Sequence, residues 1–207
     1  MERVQGHQGW KERRRGKITA SRLFDIVAIK KNGDPTAAFE KYLEQLAQER
    51  ATGEIHDSYQ SAAMADGTRK EPIARTLYSL LADEQVEQIE FIDHPTIANA
   101  GASPDGLITP KRKFIEIKCP TLPTFVTYQK DGKIPPNYLC QIGWLFACQP
   151  EMETCDYVVY SDMVSFDERL IIKTVNRKQK FVDELEQKVR EFDERVERKA
   201  QDIRARL

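Results

Sequence analysis

Apolar positions along the 207-residue chain recur with two different periods, and each change of period marks an element. Residues 86–92, 114–118, 155–160 and 170–175 alternate, or run β-branched and apolar, as strands do when successive side chains point to opposite faces. Around them the spacing is three and four. Thr19 is placed to N-cap a short helix whose apolar face is Leu23, Ile26 and Val27. Asp34 and Pro35 read as the N-cap and first position of a helix with Phe39, Tyr42, Leu43 and Leu46 inward, and Gly53 follows its end. Residues 54–66 look helical without a strong stripe. A new helix is expected near Gly67, with Pro72 in its first turn and Ile73, Leu77, Leu80 and Leu81 as the packing stripe. A helix over 121–130 stops at Gly132, and the next, over 137–148, turns Leu139, Ile142, Leu145 and Phe146 inward. The last, over 177–207, is long and charged. Its seam of Phe181, Leu185, Val189, Phe192, Val196, Ala200 and Ile203 suits a helix lying along its own domain or against a partner helix.

This order predicts an α/β fold with a mixed central sheet flanked by helices. With 40% hydrophobic residues and no repeat, low-complexity tract or linker, residues 1–207 are expected to form one domain. No apolar run approaches the ~18 residues that a membrane span needs, so a soluble, cytoplasmic protein is expected. Cys119, Cys140, Cys148 and Cys155 show no CxxC spacing and are expected to be reduced. A net charge of −1 supplies no overall attraction for nucleic acid, so any DNA contact has to come from local patches. Two basic clusters qualify: Lys11, Arg13, Arg14, Arg15 and Lys17, and the Lys111, Arg112 and Lys113 loop, expected to sit beside the site described next.

Candidate chemistry centres on residues 101–120. Along the strand, Phe114, Glu116 and Lys118 share one face and Ile115 and Ile117 the other. Ser103-Pro104-Asp105-Gly106 leads into a hairpin with a loop over 109–113, where Gly106 permits a bulge or a positive φ, and the hairpin brings Asp105 towards Glu116 and Lys118. Two carboxylates and a lysine suit metal-dependent phosphodiester hydrolysis, because Mg²⁺ takes hard oxygen ligands and completes its shell with water and phosphate oxygens. Taken singly, Asp-Gly is an ordinary hairpin signal and Glu-x-Lys an ordinary ion pair. Both halves on consecutive strands favour the functional reading.

Pro104-Asp105 followed by Glu116-Ile117-Lys118 resembles the PD-(D/E)XK nuclease signature, and the fuller SPDGLI and EIKCP are similar to the phage lambda exonuclease family of viral recombination nucleases. The resemblance runs from Trp10 to about Val175 and implies a restriction-endonuclease-like core. It implies Asp105, Glu116 and the backbone carbonyl of Ile117 as ligands of Mg²⁺, for which Mn²⁺ substitutes, with Lys118 as catalytic helper. Gly67 to Glu71 fits a G-x3-E pattern that adds Glu71 to the site, although Asp66 stands where lambda-like enzymes carry an aromatic residue. Tyr138 to Gln141 fits Y-x2-Q and adds Gln141, which bonds the catalytic carboxylate or lysine. Trp10 to Ser21 is similar to W-x3-R-x-G-x-I-T-A-S, so that Arg14 and Ser21, with Thr19, would hold a 5′-terminal phosphate. The implied activity is 5′-to-3′ digestion of linear double-stranded DNA, leaving a 3′ single strand, by a homotrimeric ring that hands its product to a single-strand annealing protein. Two alternatives stand beside it. One is another nuclease on the same core, an endonuclease or repair nuclease; its iron-sulfur version is disfavoured because no cysteine precedes Cys119. The other is a catalytically silent DNA-binding or scaffold subunit, which would have no need to hold two anions together.

Overall fold

The computed structural model describes residues 8–55 and 61–207. In chain order the elements are α1 (Gln8–Arg14), β1 (Ile18–Thr19), α2 (Leu23–Val27), α3 (Ala37–Thr52), α4 (Ala62–Ala82), β2 (Ile92–Asp93) and β3 (Ala100–Ala102). They continue as β4 (Gly106–Ile108), β5 (Lys113–Lys118), α5 (Leu122–Asp131), α6 (Pro136–Cys148), β6 (Thr154–Tyr160), β7 (Leu170–Asn176) and α7 (Gln179–Arg204). The expected mixed α/β architecture is present as two sheets, β1-β3-β2 and β4-β5-β6-β7.

The larger sheet grows from the hairpin. β4 and β5 pair antiparallel with Gly106 opposite Ile115, and β6 lies parallel to β5 with Tyr157 opposite Glu116. A parallel pair needs a long crossover, which α5 and α6 supply; β7 then closes the edge antiparallel to β6. Both faces are covered. Phe114 and Tyr157 pack with α3, α6 and α7, while Ile115, Ile117, Val158 and Tyr160 pack under Ala74, Leu77 and Tyr78 of α4. Glu116 therefore sits on a buried face, 1% exposed. The seam of α7 lies against α3 and α6 of its own chain, with Val182, Leu185, Val189, Phe192, Val196 and Ala200 buried and Phe181 and Ile203 packed at the margin. Gly143 makes this approach possible, since a Cβ there would stand 2.7 Å from Leu185 and 2.8 Å from Phe181. No helix among the described residues is long and apolar enough to cross a membrane.

Several local expectations are corrected. Thr19 caps no helix through its side chain; it lies in β1 and is buried, its N–H donating to Tyr42 Oη at 3.1 Å. Helix α3 starts after Thr36, whose hydroxyl accepts from the Phe39 N–H, because Asp34 and Pro35 are drawn back into a turn by the Lys30–Asp34 bond and the Ile29–Pro35 bridge. Of the helix expected over 54–66, residues 56–60 lie outside the described residues, and Ser61 N-caps one 21-residue helix in which Gly67 and Pro72 are interior. Of the expected stripe Ile73, Leu77, Leu80 and Leu81, Leu77 is the one that is buried. Ile73, Leu80 and Leu81 are exposed, and the face turned to the sheet is set by Glu71, Ala74, Arg75 and Tyr78, whose polar groups find partners there. Residues 86–92 give only a bridge from Glu87 to Leu107 and the short β2. Leu139 on α6 is 36% exposed, at the margin rather than in the core. Gly106 has neither a bulge nor a positive φ; it is a paired strand residue whose missing Cβ leaves room for Val86, 2.3 Å from where that atom would stand.

Candidate active site

The register of the hairpin assembles the site. One residue beyond the Gly106–Ile115 pair, Asp105 comes level with Glu116, and its Oδ2 accepts the Ile117 N–H at 2.7 Å. Glu116 Oε1 receives Lys118 Nζ and Gln141 Nε2, each at 2.5 Å. Lys118 lies two residues on along β5, so alternation puts it on the same face as Glu116. Its ammonium is 4.9 Å from the Tyr138 ring centroid, so the first two turns of α6 contribute Tyr138 and Gln141. From the opposite face, α4 brings Glu71 to the same strand end. Glu71 Oε1 accepts from Arg75, whose Nε donates to the Asp105 carbonyl at 2.8 Å.

Crowding of carboxylates sets the electrostatics. Burial, and then the Asp105 carboxylate, push the Glu116 pKa up to about 8 against the pull of Lys118. Burial and Asp105 likewise raise Glu71 to about 7. Burial opposes the charge on Lys118, but Glu116 and Asp105 outweigh it and hold the ammonium above its ordinary pKa. The site therefore favours a bound positive charge. Glu116 Oε2 points the same way, being buried without a hydrogen-bond partner.

A second cluster forms where α1 meets β3. Arg14 donates to Ser103 Oγ at 3.2 Å and to Ser21 Oγ at 3.5 Å, and its guanidinium lies 4.1 Å from the Trp10 ring centroid. Trp10 Nε1 also donates to Ser103 Oγ, at 3.1 Å. Among the described residues Arg14 has no carboxylate partner in ion-pair range, unlike Arg22 with Asp25 or Lys17 with Asp93. Burial lowers its pKa to about 10, which leaves it charged at neutral pH. Of the three residues expected here, Arg14 and Ser21 come together, whereas the backbone of Thr19 is engaged by Tyr42 in the core. Ser103 is an addition that sequence reading missed, although it stands two residues before Asp105.

The loop over 109–113 fails as a basic patch. Lys111 pairs with Glu84, Arg112 with Glu153 at 2.5 Å and Lys113 with Asp156 at 2.8 Å. It also sits at the far end of the hairpin, since a strand advances about 3.3 Å per residue and Lys113 and Lys118 close opposite ends of β5.

A family model described as the YqaJ-like viral recombinase domain matches residues 9–150, which contain the side chains of both clusters. The chain belongs to this family. Among solved structures, an alkaline exonuclease (LHK-Exo) from Laribacter hongkongensis is 34% identical, with 97% of each chain covered and a TM-score of 0.87. The same enzyme in complex with dAMP gives 34% identity, 97% coverage of each chain and a TM-score of 0.88. A phage-related exonuclease from Haemophilus somnus, at 14% identity, 90% coverage of this chain, 96% of that one and a TM-score of 0.68, is similar in fold. No curated protein sequence matches significantly. The fold of the YqaJ-like chain is accordingly restriction-endonuclease-like.

In this YqaJ-like chain the donor set fits a hard divalent cation. Among the described residues no three His, Cys, Asp or Glu side chains form a complete cage. Asp105 and Glu116 offer oxygens, and one or two carboxylates completed by water and phosphate are the usual complement for Mg²⁺. Without metal, a buried carboxyl with a raised pKa costs stability as it ionises. The contribution of neutral Glu116 is fully present below the ordinary value of 4.5 and is lost as pH rises through about 8. The melting temperature of metal-free wild type, relative to Glu116→Gln, should therefore fall across that window, and Mg²⁺ at the alkaline end should recover it. A difference independent of pH in scanning fluorimetry would show that Glu116 is not held in this way.

Proposed function

We propose that this protein, a DNA nuclease by family, is a Mg²⁺-dependent 5′-to-3′ exonuclease of linear double-stranded DNA, accepting Mn²⁺ in place of Mg²⁺. The observation that carries the reading is the buried, unpartnered Oε2 of Glu116 beside Asp105 and Lys118. Asp105, Glu116 and the Ile117 carbonyl would hold the cation, which when bound offsets phosphate charge and lowers the pKa of a coordinated water. Lys118 orients the attacking water and offsets charge developing on the phosphate, and its own raised pKa keeps it an ammonium throughout. Gln141 fixes the Glu116 rotamer through their hydrogen bond. Glu71 adds a third carboxylate from α4.

Arg14, Ser21 and Ser103 form the seat for a 5′-terminal phosphate. A half-buried guanidinium with two hydroxyls and, among the described residues, no acid in ion-pair range is matched to a phosphate, whose oxygens accept in-plane pairs of N–H bonds. With the phosphate seated, the strand's first linkage would be directed to Asp105 and Glu116, which would leave a 3′ single strand for a single-strand annealing partner. Cytoplasm of a bacterial or phage-infected cell is the matching location. The direct test supplies purified protein and Mg²⁺ with linear duplexes that differ only at their 5′ ends, beside a closed circle. Cutting of the circle would favour an endonuclease on the same core.

Assembly as a homotrimeric ring belongs to the same proposal, because enclosing the duplex keeps an exonuclease on its strand. The exposed Leu80 and Leu81 of α4, at 73% and 60%, supply apolar surface for a subunit contact. Light scattering at micromolar concentration should return about three times the 23.9 kDa chain mass. A monomer that releases its DNA at once under competitor would leave the nuclease standing and remove the ring.

A further inference from the structure

Helix α4 has little apolar grip on the rest of the chain. Of its 21 residues Ala74, Leu77 and Tyr78 are buried, while Met64, Ile73, Leu80 and Leu81 face outward. Polar side chains fasten it instead. Lys70 reaches Asp162 at 2.8 Å, and Tyr78 Oη donates to Asp156 Oδ2 at 2.6 Å. Arg75 makes the fastening nearest the chemistry. Its side chain is 12% exposed, and it binds the Glu71 carboxylate one turn earlier on the same helix. Through Nε it also binds the backbone carbonyl of Asp105, the residue that enters the hairpin.

We propose that Arg75 is a positioning residue of the nuclease site, one rigid guanidinium holding the Glu71 carboxylate and the Asp105 backbone in fixed relation. It rests on the reading of Asp105 and Glu116 as metal ligands. A guanidinium presents its N–H groups in a planar fork, so the angle between helix and hairpin is set by the group itself; the single ammonium of a lysine carries the charge without that geometry. Removing the fork takes the Arg75 donor from the Asp105 carbonyl and frees Glu71 to swing on an otherwise lightly held helix. Loss of position, not of charge, is the consequence.

The test uses the full chain with Arg75→Ala and Arg75→Lys, checked for fold by circular dichroism, with Tyr78→Phe as a variant that loosens α4 away from the site. Calorimetric Mn²⁺ affinity and single-turnover rate should both fall by about 10–100-fold in the two Arg75 variants, the range for partners that orient metal ligands. Duplex affinity measured in Ca²⁺ should stay near wild type. Ethylguanidinium in the buffer should restore part of the loss in Arg75→Ala but not in Arg75→Lys, where the space is filled. If Arg75→Ala does not fold, the Lys variant carries the comparison: unchanged Mn²⁺ affinity and rate in it overturn the proposal. So does an equal loss in Tyr78→Phe, which would mark general loosening of the helix. Glu116→Gln separates the two readings. If it too keeps metal and activity, the site reading has failed; if it alone loses them, only the role of Arg75 has.

Discussion

Replacing Glu116 by Gln, or Asp105 by Asn, is expected to remove Mg²⁺-dependent degradation of linear duplex DNA while leaving the fold intact. Each change deletes one negative charge with almost no change in volume. For Glu116 the folded chain tolerates the neutral form well, since burial already pushes that carboxyl towards protonation. Gln also keeps an oxygen able to accept from Lys118 and Gln141. A loss of about 100-fold or more is expected, the scale on which deleting one group that stabilises transition-state charge acts. Lys118→Ala should lose activity to a similar degree while largely sparing Mn²⁺ binding, because the ammonium is not a ligand. Gel assays of 5′-phosphorylated duplexes, with circular dichroism on each variant, decide the matter. A folded variant retaining activity within about tenfold of wild type, well short of that scale, would show the site to be wrongly placed.

The second large effect concerns the end of the substrate. A 5′-phosphorylated linear duplex should be digested faster than its 5′-hydroxyl twin, and Arg14→Ala should compress that preference. Hydrogen bonds to charged groups contribute about 1.5–3 kcal/mol each, so a single such contact corresponds to roughly tenfold to hundredfold in rate. Arg14 is suited to the role because its partners among the described residues are hydroxyls and the Trp10 ring rather than an acid, so a phosphate would displace no ion pair seen there. Ser103→Ala should lower the preference less, removing a neutral hydroxyl whose oxygen accepts from Arg14 and fixes its head. Equal rates on both ends in wild type, or nucleotides released from the 3′ end, would remove the basis for the phosphate seat.

Much of this site was legible in the sequence, because its parts are local and periodic. Asp105, Glu116 and Lys118 lie within fourteen residues on one hairpin, and alternation along β5 fixes which side chains share a face once the hairpin forms. The inward faces of α3 and α7 were readable for the same reason, since a helical stripe depends only on residues three and four apart, whereas Gln141 stood out only through the family resemblance. Arg14 and Ser21, named through the family resemblance, stand seven apart and meet through a hydrogen bond of 3.5 Å.

What only the tertiary structure decided was the pairing of distant groups. The Lys111 to Lys113 loop reads as a basic patch until Asp156 of β6, Glu153 just before it and Glu84 just after α4 come against it, and charge along a sequence says nothing of what a fold sets opposite. Helix α4 went wrong similarly. Hydropathy put its inner face on Ile73, Leu77, Leu80 and Leu81, of which Leu77 is buried, but the sheet turns Glu71, Ala74, Arg75 and Tyr78 inward because Asp105 and Asp156 wait there with acceptors. A buried hydrogen bond to a charged group outweighs the exposure of single leucines, which folded proteins commonly leave at the surface. The sequence by itself thus determined most helices, the strands of the larger sheet and which hairpin side chains share a face. Which face of a helix met the sheet, and which charges were cancelled, followed from long-range strand pairing that no local period encodes.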